Sequence, residues 1–162
     1  MNADAFRHFY DYHFWVNRKI WDSDIVPLTE EQFIQEVGYS YGSVRNQILH
    51  LISADETWFS ELRGVEVPDP LDPADFPDRA SIRAHWDEVE RMMRATLATL
   101  RDDMLFTQPF PGEDAGLFVW QVLVHVVNHG TDHRAQLLRQ LNDLGVATEY
   151  QDYIFYVYDH PM

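Results

Sequence analysis

The sequence predicts an all-α fold, a four-helix bundle in up-down-down-up order, within one domain spanning 1–162. Three observations carry that expectation. Apolar residues recur at intervals of three and four along most of the chain, the spacing of one helix face. Four long periodic segments are bounded by residues that start or stop helices. A polar crossover, 65–80, parts the second segment from the third and is long enough to let those two run parallel.

Taken in order, the first helix covers 4–26, with Phe6, Phe9, His13, Val16 and Ile20 on one face and Pro27 closing it. Thr29 and Gln32 have capping-box spacing and start a short turn before Gly38 and Gly42 loosen the chain. Ser43 is an N-cap for the second helix, 44–62, whose stripe is Val44, Ile48, Leu51, Ile52, Asp55, Phe59 and Leu62, and Gly64 follows as its C′ residue. The crossover VEVPDPLDPADFPDRA carries four prolines among its acids and is too polar for a regular element. Ser81 is expected to cap the third helix, 82–101, with Ile82, Trp86, Val89, Met93 and Leu97 in register. Residues 102–114 read as irregular, and FTQPFPGEDAG as an extended or hairpin piece. The fourth helix begins near Ala115–Gly116 and runs to Leu144, ended by Gly145; its opening LFVWQVLVHVV is apolar nearly all round, so it is buried on more than one side. The tail DYIFYVYDHPM reads as a short extended segment lying on the bundle.

Composition narrows the function classes. The chain has 162 residues, 46% of them hydrophobic, which suits one compact domain. Twelve basic against 27 acidic residues give a net charge of −15, a field that repels nucleic acid and anionic membranes. There is no cysteine, so there is no disulfide framework, no thiolate metal site and no cysteine nucleophile. That fits a reducing compartment. No signal peptide and no membrane span is read, and the expectation is a soluble cytoplasmic protein.

The chemistry sits in LVHVVNHGTDHRAQ, 123–136, where His125, His129 and His133 follow one another at intervals of four. On a helix they form one slowly turning row. Two neighbours can chelate one ion, but all three cannot, because the outer pair stands about 12 Å apart along the axis while metal–nitrogen bonds are near 2 Å. A pair therefore needs a third ligand from another helix. His50 is a candidate on the flank of the second helix's stripe, with Gln47, Ala54 and Trp58 on the same side; His13 rivals it from the apolar face of the first helix. His85 is a weaker candidate, and His8 and His160 are expected at the surface. A lone buried histidine is more often a hydrogen-bonded core residue, yet several buried imidazoles without partners would cost a few kcal/mol, which favours a metal.

Three stretches give the chain a resemblance to a known family: FWVNRKIW at 14–21, SVRNQILHLISADETWFSELRG at 43–64 and WQVLVHVVNHGTDHRAQLL at 120–138. Together they resemble the DinB-like family (DinB/YfiT-like metalloenzymes) over most of the chain, failing mainly at 65–80 and in the tail. The resemblance implies a four-helix bundle and a three-histidine metal site made by His50, His129 and His133, leaving His125 as a pocket wall or packing residue. Zinc or nickel is the expected ion, with iron or manganese also suited to imidazole. Three neutral ligands leave coordination positions open, the pattern of a catalytic site.

Family members of known activity imply a transferase or isomerase using a low-molecular-weight thiol; the alternatives are a metal-dependent hydrolase and a non-catalytic metal- or ligand-binding protein. The expected partners are a small-molecule substrate and a second copy of the chain, since helix four is apolar on more faces than one core requires. Supporting roles fall to Asn17, Trp58, Asp132 and Gln136, although Asp132 points about 100° from its neighbour His133 and reads better as a solvated carboxylate. Arg134 is expected to pair with an acid, and Trp15, Trp21, Trp58 and Trp120 to lie in the core.

Overall fold

The structure, a computed structural model, describes residues 1–161. Its described elements are helical throughout: α1 (Ala3–Ile20), α2 (Glu30–Ile34), α3 (Val44–Arg63), α4 (Arg79–Ala98), α5 (Val119–Asp143) and α6 (Tyr153–Asp159), with short turns of tighter or wider helix in some of the connections. None is long and apolar enough to cross a membrane.

Local chemistry sets each boundary. Asn2 caps α1 by accepting from the Ala5 N–H. The helix then widens into a π turn over Trp21–Ile25, with the Val26 N–H reaching the Trp21 carbonyl at 2.9 Å, so the expected helix to residue 26 changes pitch at its end. Thr29 and Gln32 form the expected capping box. Ser43 accepts from the Asn46 N–H, and Gly64 ends α3 with φ +66°, a left-handed turn that glycine adopts at no steric cost.

Three expectations need correction. Helix α4 starts three residues early, because Asp78 rather than Ser81 is its cap: the Asp78 carboxylate accepts from the Ser81 N–H, and Ser81 returns a bond as the third helical residue. It also stops at Ala98. Helix α5 starts at Val119, since residues 112–114 form a separate 3-10 turn and the Gln121 side chain accepts from the Phe118 N–H. The tail is helix α6 rather than extended chain. Its β-branched and aromatic residues favour a strand, but no strand lies among the described residues to pair with it. As a helix it instead turns Tyr153 and Tyr156 onto Phe9, Tyr12 and Trp15 of α1.

Helix α3 packs against both α4 and α5, and α1 closes the ring by packing on the same two helices. Tyr10 meets Phe59 edge-on at 5.4 Å and bonds the Leu123 carbonyl at 3.0 Å, while Arg18 reaches Glu90 and Arg94 reaches Asp11. Between them lies one apolar core. Trp21 and Trp86 are in it and Trp15 and Trp58 flank it, but Trp120 is 37% exposed and does not belong to the core.

Candidate metal centre

The second turn of α3 and the middle of α5 face each other. His50 Nε2 lies 3.3 Å from His129 Nε2 and 3.2 Å from His133 Nε2. All three offer one nitrogen each within 4.8 Å of one another, and no carboxylate among the described residues joins them. An ion bonded tetrahedrally to imidazole nitrogens at about 2.0–2.1 Å spaces them about 3.3 Å apart. The donor set fits a divalent ion. Where the rings present lone pairs to one another at that distance, no donor lies between them, and that is the cost a cation would relieve.

The electrostatics agree. Burial, followed by the neighbouring His133 and His129, brings the His50 pKa down to about 4. Burial and then His133 bring His129 down to about 4, with Asp55 opposing and His125 assisting. Both rings are therefore neutral at physiological pH and ready to donate to a cation.

The surroundings orient and cover the three rings. Tyr41, in the loop before α3, stacks on His50 with centroids 3.9 Å apart and planes 17° from parallel, and meets His133 edge-on at 5.7 Å. Gln136 Oε1 lies 2.9 Å from His133 Nδ1, Gln47 Nε2 lies 3.1 Å from the same atom, and Ser40 Oγ bonds Gln136 Oε1 at 2.5 Å. A hollow of about 230 Å³ opens beside His50 and Tyr41 against Pro70, Leu71 and Pro73, and a broader one of about 510 Å³ runs past His125, His129 and Asp132. A larger hollow, about 640 Å³, lies elsewhere, around Leu62, Met92 and Leu100; the one carboxylate lining it, Glu88, is tied to Arg91, so it carries no comparable chemistry.

The other histidines separate cleanly. His125 is exposed and packs edge-on against Trp58 at 5.0 Å, a wall of the broader hollow. His13, the rival ligand, is fully buried away from the three rings: its Nε2–H donates to Asp55 at 3.1 Å and its Nδ1 accepts from Arg134 at 3.2 Å. His85 pairs with Glu56 at 3.0 Å. His160 is exposed and stacks on Tyr156, whereas His8 is half-buried against Tyr153 and Tyr156 rather than free at the surface.

Arg134 is the larger surprise. It does not pair directly with an acid; it is completely buried and donates to His13, Asn17 at 3.0 Å, Thr131 at 3.1 Å and Gln151 at 3.0 Å, with Asp55 reached only through His13. Burial pushes its guanidinium below the ordinary value, opposed by Tyr12 and Asp55. Asn17 belongs to this network and not to the metal centre. Ser40, Tyr41 and Gln47, which touch the centre, were not singled out from the sequence for that role; only Gln47's place on the His50 side of its helix signalled it.

A family model matches residues 1–160, and its description is the DinB family. The chain belongs to the DinB family. It is also similar to Protein DinB of Bacillus subtilis (strain 168), 26% identical over 167 residues, covering 98% of this chain and 96% of that one. The three histidines that the sequence resemblance implied as ligands converge in this structure into a cluster that could hold a metal ion.

Proposed function

We propose that this DinB-family chain is a cytoplasmic, homodimeric metalloenzyme that binds a divalent ion through His50, His129 and His133 and transfers a low-molecular-weight thiol to an electrophilic substrate. One observation carries the reading: three imidazole nitrogens converge at metal-binding spacing, with no fourth histidine or carboxylate among the described residues joining them. Such a site keeps positions open for a reactant, as catalytic sites do. When bound, the ion would supply Lewis acidity and ease deprotonation of a thiol or water beside it.

The chain's own residues do the rest. The three imidazoles add no negative charge, so the site keeps its full attraction for an anionic thiolate. Tyr41 covers one face of His50 and leaves the approach along α5, past His125 and Asp132. With no cysteine in the chain, the thiol comes from outside. Zinc or nickel suits this donor set, with iron or manganese as alternatives.

An up-down-down-up bundle is supported by the pairings along the helices: Tyr10 and His13 of α1 meet Phe59 and Asp55 of α3 in reverse order, and Tyr10 and Asn17 meet Leu123 and Arg134 of α5 in the same order. Dimerisation is supported by the apolar side chains left exposed on α6 (Ile154, Phe155, Tyr158) and by Trp120, and sedimentation at about twice 19.1 kDa is the expected result.

The test of function is titration of Co²⁺-substituted protein, purified without a histidine tag, with several small thiols. Thiolate-to-metal charge-transfer absorption and S-conjugation of an electrophile are expected. Absence of the band with every thiol removes the transferase reading, and hydrolysis of esters or amides by the same preparation would replace it.

A further inference from the structure

His133 Nδ1 faces two side chains that demand opposite things of it. Gln136 Oε1, 2.9 Å away, can only accept, and so requires Nδ1–H. Gln47 Nε2, 3.1 Å away, can only donate, and so requires a bare Nδ1. A neutral ring carries one proton. The first arrangement leaves the lone pair on Nε2, aimed at His50; the second puts the proton there and blocks a cation.

The surrounding bonds decide between them. Asp132 Oδ2 lies 3.2 Å from Gln136 Nε2, and a carboxylate can only accept, so the amide nitrogen of Gln136 faces Asp132 and its oxygen faces His133. Ser40 Oγ donates to that same oxygen at 2.5 Å. Ser40 holds φ +52°, the one non-glycine residue in the left-handed region among those described, a backbone state that persists only where contacts hold it. Gln47 has other acceptors within reach: the His133 carbonyl at 3.3 Å and Gln136 Oε1 at 3.5 Å. Among the described residues neither His50 nor His129 has any Nδ1 partner, so His133 is the ligand whose proton the protein controls.

We infer that Gln136, oriented by Asp132 and Ser40, is the positioning residue that holds His133 as its Nδ1–H tautomer against the competing amide of Gln47. This rests on the metal-site reading for its purpose but not for its test. The sequence contains the arrangement as Asp132-His133-Arg134-Ala135-Gln136, with Asp132 and Gln136 one turn apart on α5.

The decisive measurement is long-range ¹H–¹⁵N correlation NMR of the metal-free protein near pH 7, with His133 assigned by substitution. The Nδ1–H tautomer is expected in the unaltered protein. Gln136→Leu should hand Nδ1 to Gln47, switch the ring to Nε2–H and weaken Co²⁺ binding 10–100-fold, the usual effect of losing such a partner. Gln136→Glu combined with Asp132→Asn keeps an acceptor facing His133 without a second carboxylate beside it, and should restore both tautomer and affinity. The urea midpoint of the metal-free Gln136→Leu protein should not move, which separates positioning from a structural role. An Nε2–H tautomer in the unaltered protein, or Nδ1–H retained in Gln136→Leu, overturns the inference. If the unaltered protein binds no Co²⁺, the metal reading falls, while the tautomer result still decides this one.

Discussion

Replacing Gly130 by alanine tests the packing around the site most directly, because the sign of the effect separates two outcomes. Glycine inside a helix normally costs about 0.5–1 kcal/mol relative to alanine, so an open site would gain stability from the change. Gly130 is not an open site. A Cβ there would stand 2.6 Å from His13 Cε1, 2.8 Å from Arg134 Nη1 and 3.0 Å from His13 Nδ1. Both neighbours are completely buried, and each is held by bonds that cross helices, so neither can step aside freely. Overpacking of this kind costs about 1–3 kcal/mol. Loss of the Arg134–His13 bond adds about 1 kcal/mol. Against the helix-propensity gain of up to about 1 kcal/mol, the net expectation is destabilisation by about 1–3 kcal/mol, a fall in Tm of roughly 2–12 °C for a chain of this size. Urea unfolding of the metal-free protein is the assay. Gly116→Ala is the control, since nothing lies within 4 Å of a Cβ there and its backbone is ordinary. A Gly130→Ala protein as stable as the unaltered one, or more so, would refute the close approach of α1 to α5.

His129→Ala or His133→Ala should remove most bound metal from untagged protein by elemental analysis, while His125→Ala keeps it; equal loss from all three would mean the wrong pair has been chosen. His50 and His129 have folded pKa values near 4 against about 6.5 unfolded, so below pH 6.5 the unfolded chain binds protons that the folded one refuses. Metal-free protein should therefore keep this part of its stability above pH 6.5 and lose it progressively as pH falls towards 4, and His50→Gln should flatten that part of the urea-midpoint profile. Tyr41→Ala, which uncovers one face of His50, should speed removal of bound metal by a chelator severalfold without moving the midpoint of the metal-free protein, because Tyr41 is 44% exposed.

What could be read in the sequence, and what could not, follows the reach of helical periodicity. The spacing of His129 and His133 and the flank position of His50 are properties of single helices, but they leave His125 and His13 as rivals, and it is the DinB-like resemblance that names the three residues the structure brings together. The rotation that turns Asp132 away from His133 was also correct, but it concealed that Asp132 lies one turn from Gln136 and acts there. Arg134 misled because a guanidinium among so many acids reads as half of an ion pair, whereas α1, α5 and Gln151 of the tail together supply the neutral acceptors that bury it. Ser40 and Tyr41 lie in a loop with no period, and nothing local marks Ser40 for a left-handed backbone. The segment of α6 reads as extended because its aromatic residues carry strand propensity, whereas the rings of α1 offer it a helix's packing surface.

His50 and His129 stand 79 residues apart in the sequence and 3.3 Å apart in space. An ion gripping both would close a loop nearly half the chain long, as a disulfide would in a protein that had cysteines to spend. Unlike a disulfide, that tie is set by mass action: it strengthens as RT ln(1 + [M]/Kd) and vanishes with a chelator. The chain would then be a reversibly stapled fold whose resistance to unfolding tracks the free concentration of its ion.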